Sequence, residues 1–218
     1  MSTDVQRAAA PVPAQAGPDG SGPSASPSRP RGLALARVLV AAGAAGLLAS
    51  WVITLDKFKL LEDPDFTPGC SLNPVVSCGN IMKSEQAAAF GFPNPMLGLA
   101  AYAVVLCVGV SLLAGARFPR WYWLVLDAGC LFGVCFVTWL QFESLYRINS
   151  LCLWCCLAWA ATITLFWSVT AANVREGRLP APSWARTFGA EFPWVPPVVH
   201  IGAVGMLVLT RWWDFWTS

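Results

Sequence analysis

The sequence predicts an all-α polytopic membrane protein: a four-helix transmembrane bundle plus a fifth transmembrane helix. Three observations carry that reading. Of 218 residues, 56% are apolar, only 12% are charged and twelve are tryptophans, which describes a chain whose solvent is largely lipid. Five stretches, residues 33–55, 96–114, 121–140, 151–172 and 197–212, read as long and apolar enough to cross a hydrocarbon core, which takes about 20 helical residues. The Lys and Arg residues fall unevenly on the two sides that five alternating spans would create. The spans take up so much of the chain that no room is left for a separate soluble domain.

In order along the chain, residues 1–31 hold Pro11, Pro13, Pro18, Pro23, Pro27 and Pro30 among Ala, Gly and Ser. Such a segment buries too little apolar surface to offset its ordering entropy, and a disordered cytoplasmic tail is expected. The first apolar run begins near Leu33 and exceeds the 7–15 residues of a signal-peptide core, so it is expected to stay attached as span one. Residues 32–174 then form the four-helix unit, with a polar loop over residues 56–95, and residues 175–218 form a cytoplasmic loop and span five. Pro193, Pro196 and Pro197 crowd the start of that last span and make it the weakest of the five.

Nine basic residues, Arg7, Arg29, Arg31, Arg37, Arg117, Arg120, Arg175, Arg178 and Arg186, fall on one side, and Lys57, Lys59, Lys83, Arg147 and Arg211 on the other. Positive residues collect on cytoplasmic flanks, so the amino terminus is expected inside and the carboxyl terminus outside. The 56–95 loop and the start of span four then share the outer face.

Four cysteines stand on that face. Cys70 and Cys78 enclose seven residues with Asn73-Pro74 among them, a turn signal that can bring two thiols within disulfide reach. After them residues 81–90 read as one short helix closed by Gly91, with Cys78 near its amino end, where the dipole favours a thiolate. Cys152 and Cys155 form a C-x-x-C at the head of span four, a spacing at which a disulfide opens and closes with little backbone movement. Asn149 or Ser150 is expected to cap this helix, placing Cys152 in its first turn with a lowered thiol pKa and Cys155 one turn deeper. Two readings follow. One is an electron relay between two exchanging cysteine pairs; the other is a non-enzymatic scaffold or subunit whose outer loop is stapled by a disulfide.

The other titratable residues are read more plainly. Cys107, Cys130, Cys135 and Cys156 lack partners at helical spacing and read as packed thiols. With His200 the only histidine and far from the four cysteines, no metal site is expected. Asp127 within span three is either a functional intramembrane carboxylate or a side chain reaching the interface. Gly129-x-x-x-Gly133 reads as close helix packing.

The order Cys70…Ser77-Cys78, then Phe90-Gly91-Phe92-Pro93-Asn94-Pro95 entering a span, then Ser150-Leu151-Cys152-Leu153-Trp154-Cys155 opening another, resembles the vitamin K epoxide reductase family in its bacterial disulfide-forming branch. The resemblance implies four helices around a quinone, menaquinone or ubiquinone, at the outer face of a bacterial cell membrane. It implies that Cys70 exchanges with a soluble DsbA-like or thioredoxin-like partner, that Cys78 attacks Cys152, and that Cys155 reduces the quinone. It further implies quinone contacts from Asn94, Ser84, Met82 and Trp159. Asn94 stands equally where a helix N-cap would, Ser84 could be an ordinary polar residue of the short helix, and Trp159 replaces a tyrosine of some relatives. Some members carry a fused thioredoxin-like domain after a fifth helix; here the sequence stops at Ser218, so a separate outer-side partner is expected, with no nucleic-acid partner. The unrelated DsbB family has its C-x-x-C pair first in the chain, opposite to the order here.

Overall fold

The computed structural model describes residues 29–217, so the expected tail lies almost wholly outside the described residues. Eight α-helices follow one another: α1 (Arg29–Glu62), α2 (Cys78–Lys83), α3 (Asn94–Leu113), α4 (Arg120–Phe142), α5 (Leu153–Arg175), α6 (Ser183–Glu191), α7 (Val195–Arg211) and α8 (Trp213–Thr217). A 3-10 turn over Glu85–Ala88 follows α2, and a π-helical turn over Glu143–Ile148 continues α4. The described residues contain no strand beyond one isolated bridge between Val76 and Leu151.

Four helices are long and apolar enough to cross a membrane, Gly32–Glu62, Asn94–Leu113, Arg120–Ile148 and Leu153–Arg175, making this a multi-pass membrane protein. At 34 residues α1 is about 51 Å long, well beyond a hydrocarbon core of about 30 Å, and it continues unbroken to Glu62. The loop expected from residue 56 therefore starts only after Glu62. Helix α7 has 17 residues, the short end of what spans a bilayer. It runs antiparallel to α5 nonetheless: near its start His200 accepts a hydrogen bond from the Trp167 indole at 3.2 Å, and at its end Arg211 donates to the Leu145 carbonyl at 3.0 Å.

Helix α1 packs along α3 and α5, and α4 packs along α5, whereas α3 and α4 have little contact of their own. The shared core is Leu39, Tyr102, Val105, Val108, Trp123, Ala161, Leu165 and Val169. Small residues set the α1–α3 approach. A Cβ on Gly109 would lie 2.9 Å from the Val40 backbone nitrogen and 3.1 Å from the Leu39 Cβ, and one on Gly46 would overlap the Tyr102 ring. The Gly129 expectation is corrected here. A Cβ at Gly129 would meet nothing within 4 Å because this face of α4 looks onto a cavity, while Gly133 makes one close approach, 3.2 Å to the Thr162 methyl.

Three further expectations change. The helix expected over residues 81–90 is two pieces, because the Ser84 hydroxyl donates back to the Ile81 carbonyl at 2.7 Å and its backbone turns extended (ψ 153°). Neither Asn149 nor Ser150 caps α5: Asn149 takes a left-handed conformation (φ 55°) that ends the π turn, and Cys152 is itself the N-cap. Asp127 does not reach the interface. It is buried and accepts a hydrogen bond from Thr170 at 2.7 Å, tying α4 to α5.

Because the contact at Gly109 is with backbone, Gly109→Ala is expected to cost about 1–3 kcal/mol by forcing α1 from α3. Gly129→Ala should leave stability unchanged. Thermal melts of the two variants in the same detergent check the contrast.

Candidate functional site

The turn within the loop between α1 and α2 is shaped by one side chain. Asn73 Oδ1 accepts from the N–H groups of Val75 at 3.0 Å and Val76 at 2.7 Å, folding the Asn73-Pro74 turn back so that Cys70 and Cys78 meet. They form a disulfide with a Cα–Cα distance of 5.7 Å. Ser77 caps α2 by accepting from Asn80 N–H at 3.4 Å, which makes Cys78 the first residue of that helix.

Two backbone hydrogen bonds then join this loop to the head of α5. Leu151 N–H donates to the Val75 carbonyl at 2.7 Å and Ser77 N–H to the Leu151 carbonyl at 2.9 Å. Ser77 and Leu151 each lie one residue before a cysteine, so the bridge sets Cys78 beside Cys152. Around it, Asn80 Nδ2 donates to Ser150 Oγ at 3.1 Å, the Ser144 hydroxyl donates to the Ser150 carbonyl at 2.5 Å, and Arg211 donates to Asn149 Oδ1. The result is three sulfurs, of Cys70, Cys78 and Cys152, all within 4.8 Å of one another. Two of these sulfurs are bonded to each other and are not thiolates. The cluster therefore has the composition of a thiol–disulfide exchange site, with a free thiol poised against a disulfide, and lacks the donor set of a metal site.

Ile53, Leu60 and Met82 enclose the three sulfurs, with Phe66, Ile81 and Trp154 packed outside. Cys78 and Cys152 are fully buried and Cys70 is 8% exposed, which leaves Cys70 the sulfur nearest solvent. Cys70 also borders a groove lined by Asp56, Gly69, Leu72 and Trp154.

Cys152 has the electrostatics of a thiolate. Its sulfur accepts the Cys155 N–H at 3.3 Å as the helix N-cap. The Cys155 thiol hydrogen-bonded to it, and the backbone N–H groups of Cys155 and Trp154, hold its pKa below the usual thiol range against the opposing effect of burial.

Beneath α2 and the 85–88 turn lies a largely apolar cavity of about 620 Å³, walled by α3, α4 and α5, and Cys155 lines it. All four of the other expected contact residues, Ser84, Met82, Asn94 and Trp159, line it too. Their polar groups are differently placed. Asn94 does not cap α3, whose N-cap is Pro93; its Oδ1 accepts from Ala89 N–H at 3.0 Å and its Nδ2 donates to the Gln86 carbonyl at 2.7 Å. One Nδ2 hydrogen is left over. The Ser84 hydroxyl proton is spent on Ile81, while the Trp159 indole N–H has no partner among the described residues. Met82 offers only its side chain, since its carbonyl accepts from Lys57 Nζ at 2.6 Å. Cys107, Cys130, Cys135 and Cys156 are free thiols.

Two cavity residues carried no sequence signal strong enough to single them out. Tyr102 is masked by the apolar run of its helix; its hydroxyl shares a hydrogen bond with Thr162 Oγ1 at 2.6 Å. Glu143 sits where an acidic residue ending a span looks unexceptional, yet it is buried and lines the cavity.

Residues 37–170 match the model of the vitamin K epoxide reductase family. No curated protein matches the chain.

The lowered pKa of Cys152 means that its thiolate, half-formed in an ordinary cysteine at about pH 8.5, forms at lower pH and is lost only as pH falls through the depressed value. Alkylation of Cys152 by a small haloacetamide should rise with a midpoint below the roughly pH 8.5 of a free cysteine, and Cys155→Ala should move the midpoint upward. Mass spectrometry of peptides labelled across a pH series reads both.

Proposed function

From the chain's membership of the vitamin K epoxide reductase family, which makes it a membrane thiol oxidoreductase, we propose that it passes electrons from a soluble thioredoxin-like or DsbA-like partner to a membrane quinone. This transfer would support disulfide formation in exported proteins on the outer side of a bacterial cell membrane. The observation that carries the reading is the group of three sulfurs within 4.8 Å, two bonded and one free, with Cys155 lining the cavity behind them.

The steps follow from where the sulfurs lie. A partner thiolate attacks Cys70, the sulfur nearest solvent and beside the groove; the Cys70–Cys78 bond breaks and Cys78 leaves as a thiolate. Cys78 attacks Cys152 in an oxidised Cys152–Cys155 pair and frees Cys155. Cys70, once the partner has left as its own disulfide, attacks Cys78, closes the Cys70–Cys78 bond and releases Cys152. Two electrons now reside on Cys152 and Cys155. The structure has the bonding of this stage, with Cys70–Cys78 joined and Cys152 and Cys155 free.

The cavity suits a quinone in size and polarity, being within the 300–1,000 Å³ of small-molecule sites, mostly apolar, and furnished with few donors. A quinone held there would accept two electrons from the Cys152–Cys155 pair and two protons, one of them from the Cys155 thiol. The spare Nδ2 hydrogen of Asn94 and the free indole N–H of Trp159 are the donors available to orient its carbonyls. Met82 and the wall of α4 would contact the ring and its tail, and Ser84 can only accept. A scaffold reading gives no reason for a free thiol with a lowered pKa beside the loop disulfide.

Cys78→Ala and Cys152→Ala are each expected to abolish quinone reduction by a reduced DsbA-like donor, whereas Cys107→Ala and Cys130→Ala should retain wild-type rates. Absorbance of the quinone in detergent follows the reaction; wild-type turnover by Cys152→Ala would refute the order of transfer.

A further inference from the structure

Outside the exchange site, the Asp127–Thr170 pair and the Arg211 clamp on the 143–148 turn are spent on hydrogen bonds within the fold. Glu143 is not. It is 8% exposed, yet its carboxylate has no hydrogen-bond or ion-pair partner among the described residues. It is the only Asp, Glu, Lys, Arg or His among the residues that line the cavity; the other ionisable groups there are the thiols of Cys130 and Cys155 and the phenols of Tyr102 and Tyr122. Among the described residues the buried side-chain polar atom without a partner is Gln141 Nε2, so the Glu143 oxygens are accessible, and an unpaired ionisable group lining an apolar chamber within a membrane bundle is a functional candidate.

Its position is fixed from two sides. Glu143 opens the π-helical turn, a geometry that recurs at functional sites. The next residue, Ser144, donates to the Ser150 carbonyl, two residues before Cys152. Arg211 holds the same turn through the Leu145 carbonyl, which spends that guanidinium on backbone and on Asn149. Glu143 thus stands at the outer end of the cavity, at the level where the exchange site meets it.

We infer that Glu143 is the proton-relay residue for reduction of the molecule in this cavity, an inference that rests on the quinone reading above and extends it. The balance shows why a relay is needed. When Cys152 is in the thiolate form that its N–H and Cys155 partners favour, the site holds one thiolate and one thiol. Forming the Cys152–Cys155 bond releases two electrons but only one proton, from Cys155, while converting two carbonyl oxygens to hydroxyls consumes two electrons and two protons. The second proton has to cross from the outer aqueous face into an apolar chamber. Glu143 takes it up on the outer side, gives it to a carbonyl oxygen on the inner side, and is left as the carboxylate that the next proton refills.

The test uses the full-length protein in detergent, reduced anaerobically with dithiothreitol, desalted, and mixed with ubiquinone-1. Reoxidation of Cys152 and Cys155 is followed by quenching into a maleimide that shifts the protein on a gel, and ubiquinone-1 binding is measured separately by quenching of tryptophan fluorescence. Glu143→Gln is expected to bind ubiquinone-1 as wild type does but to reoxidise about 10²-fold more slowly, the lower end of what a positioned acid contributes. Glu143→Asp, which keeps the carboxylate, should recover most of the rate. Wild-type reoxidation by Glu143→Gln would overturn the inference, as would a Glu143→Asp rate as low as that of Glu143→Gln. If wild-type protein itself fails to reoxidise with ubiquinone-1, the quinone reading fails instead, and this outcome is distinguishable from the other two.

Discussion

Two backbone hydrogen bonds between the loop that precedes α2 and the head of α5 are the constraint on which the site depends. Val75 and Leu151 share a buried apolar cluster with Val137, Leu145, Trp159 and Trp212, which seats residues 75–77 against the end of the bundle but does not by itself fix their register. The Val76–Leu151 bridge fixes that register, and the cysteines follow because each is within two residues of it. The surrounding side-chain bonds serve the bridge. Asn73 gives the loop its turn, Asn80 and Ser144 hold Ser150, and Arg211 reaches in from α7 to hold the π turn from behind. Ordering a long polar loop is entropically costly, and these bonds, together with burial of Cys78, Met82 and Cys152, offset that cost.

The two cysteines of the C-x-x-C are only three residues apart but have different surroundings. Cys152 sits at a helix N-terminus with N–H groups directed at its sulfur, where negative charge is stabilised. Cys155, one turn on, lines a chamber that is mostly hydrocarbon. The helix terminus marks the boundary between polar thiol chemistry and chemistry in an apolar medium, and one turn of α5 is enough to cross it.

Much of this was legible in the sequence because its signals are short-range or one-dimensional. Four spans follow from hydropathy, the Asn73-Pro74 turn from local side-chain bonding, and the two cysteine pairs from their spacing. What escaped depends on three-dimensional partners. The break at Ser84 comes from a hydroxyl choosing the Ile81 carbonyl over continued helix, which Ala- and Gln-rich neighbours conceal. Cys152 as its own cap was hidden because Asn149 and Ser150 are better caps by residue type; Asn149 was already committed to ending the preceding turn. Gly129 looked like half of a packing motif, and only the placement of α4 away from α3 shows that it faces open space. Glu143 was unremarkable until the cavity around it was found to hold no other carboxylate.

The slight contact between α3 and α4 has a consequence for how the protein experiences its environment. Val104, Val125 and Phe132 line the cavity and are each more than half exposed, so the chamber opens sideways toward the bilayer along an apolar flank. Its contents equilibrate with lipid, and occupancy is governed by a mole fraction in two dimensions. A ligand's partition coefficient multiplies its local concentration before any contact with the protein is made. Apparent affinities in detergent will therefore scale with the amount of micelle present, and ranking ligands by aqueous concentration will favour greasy molecules over well-fitting ones.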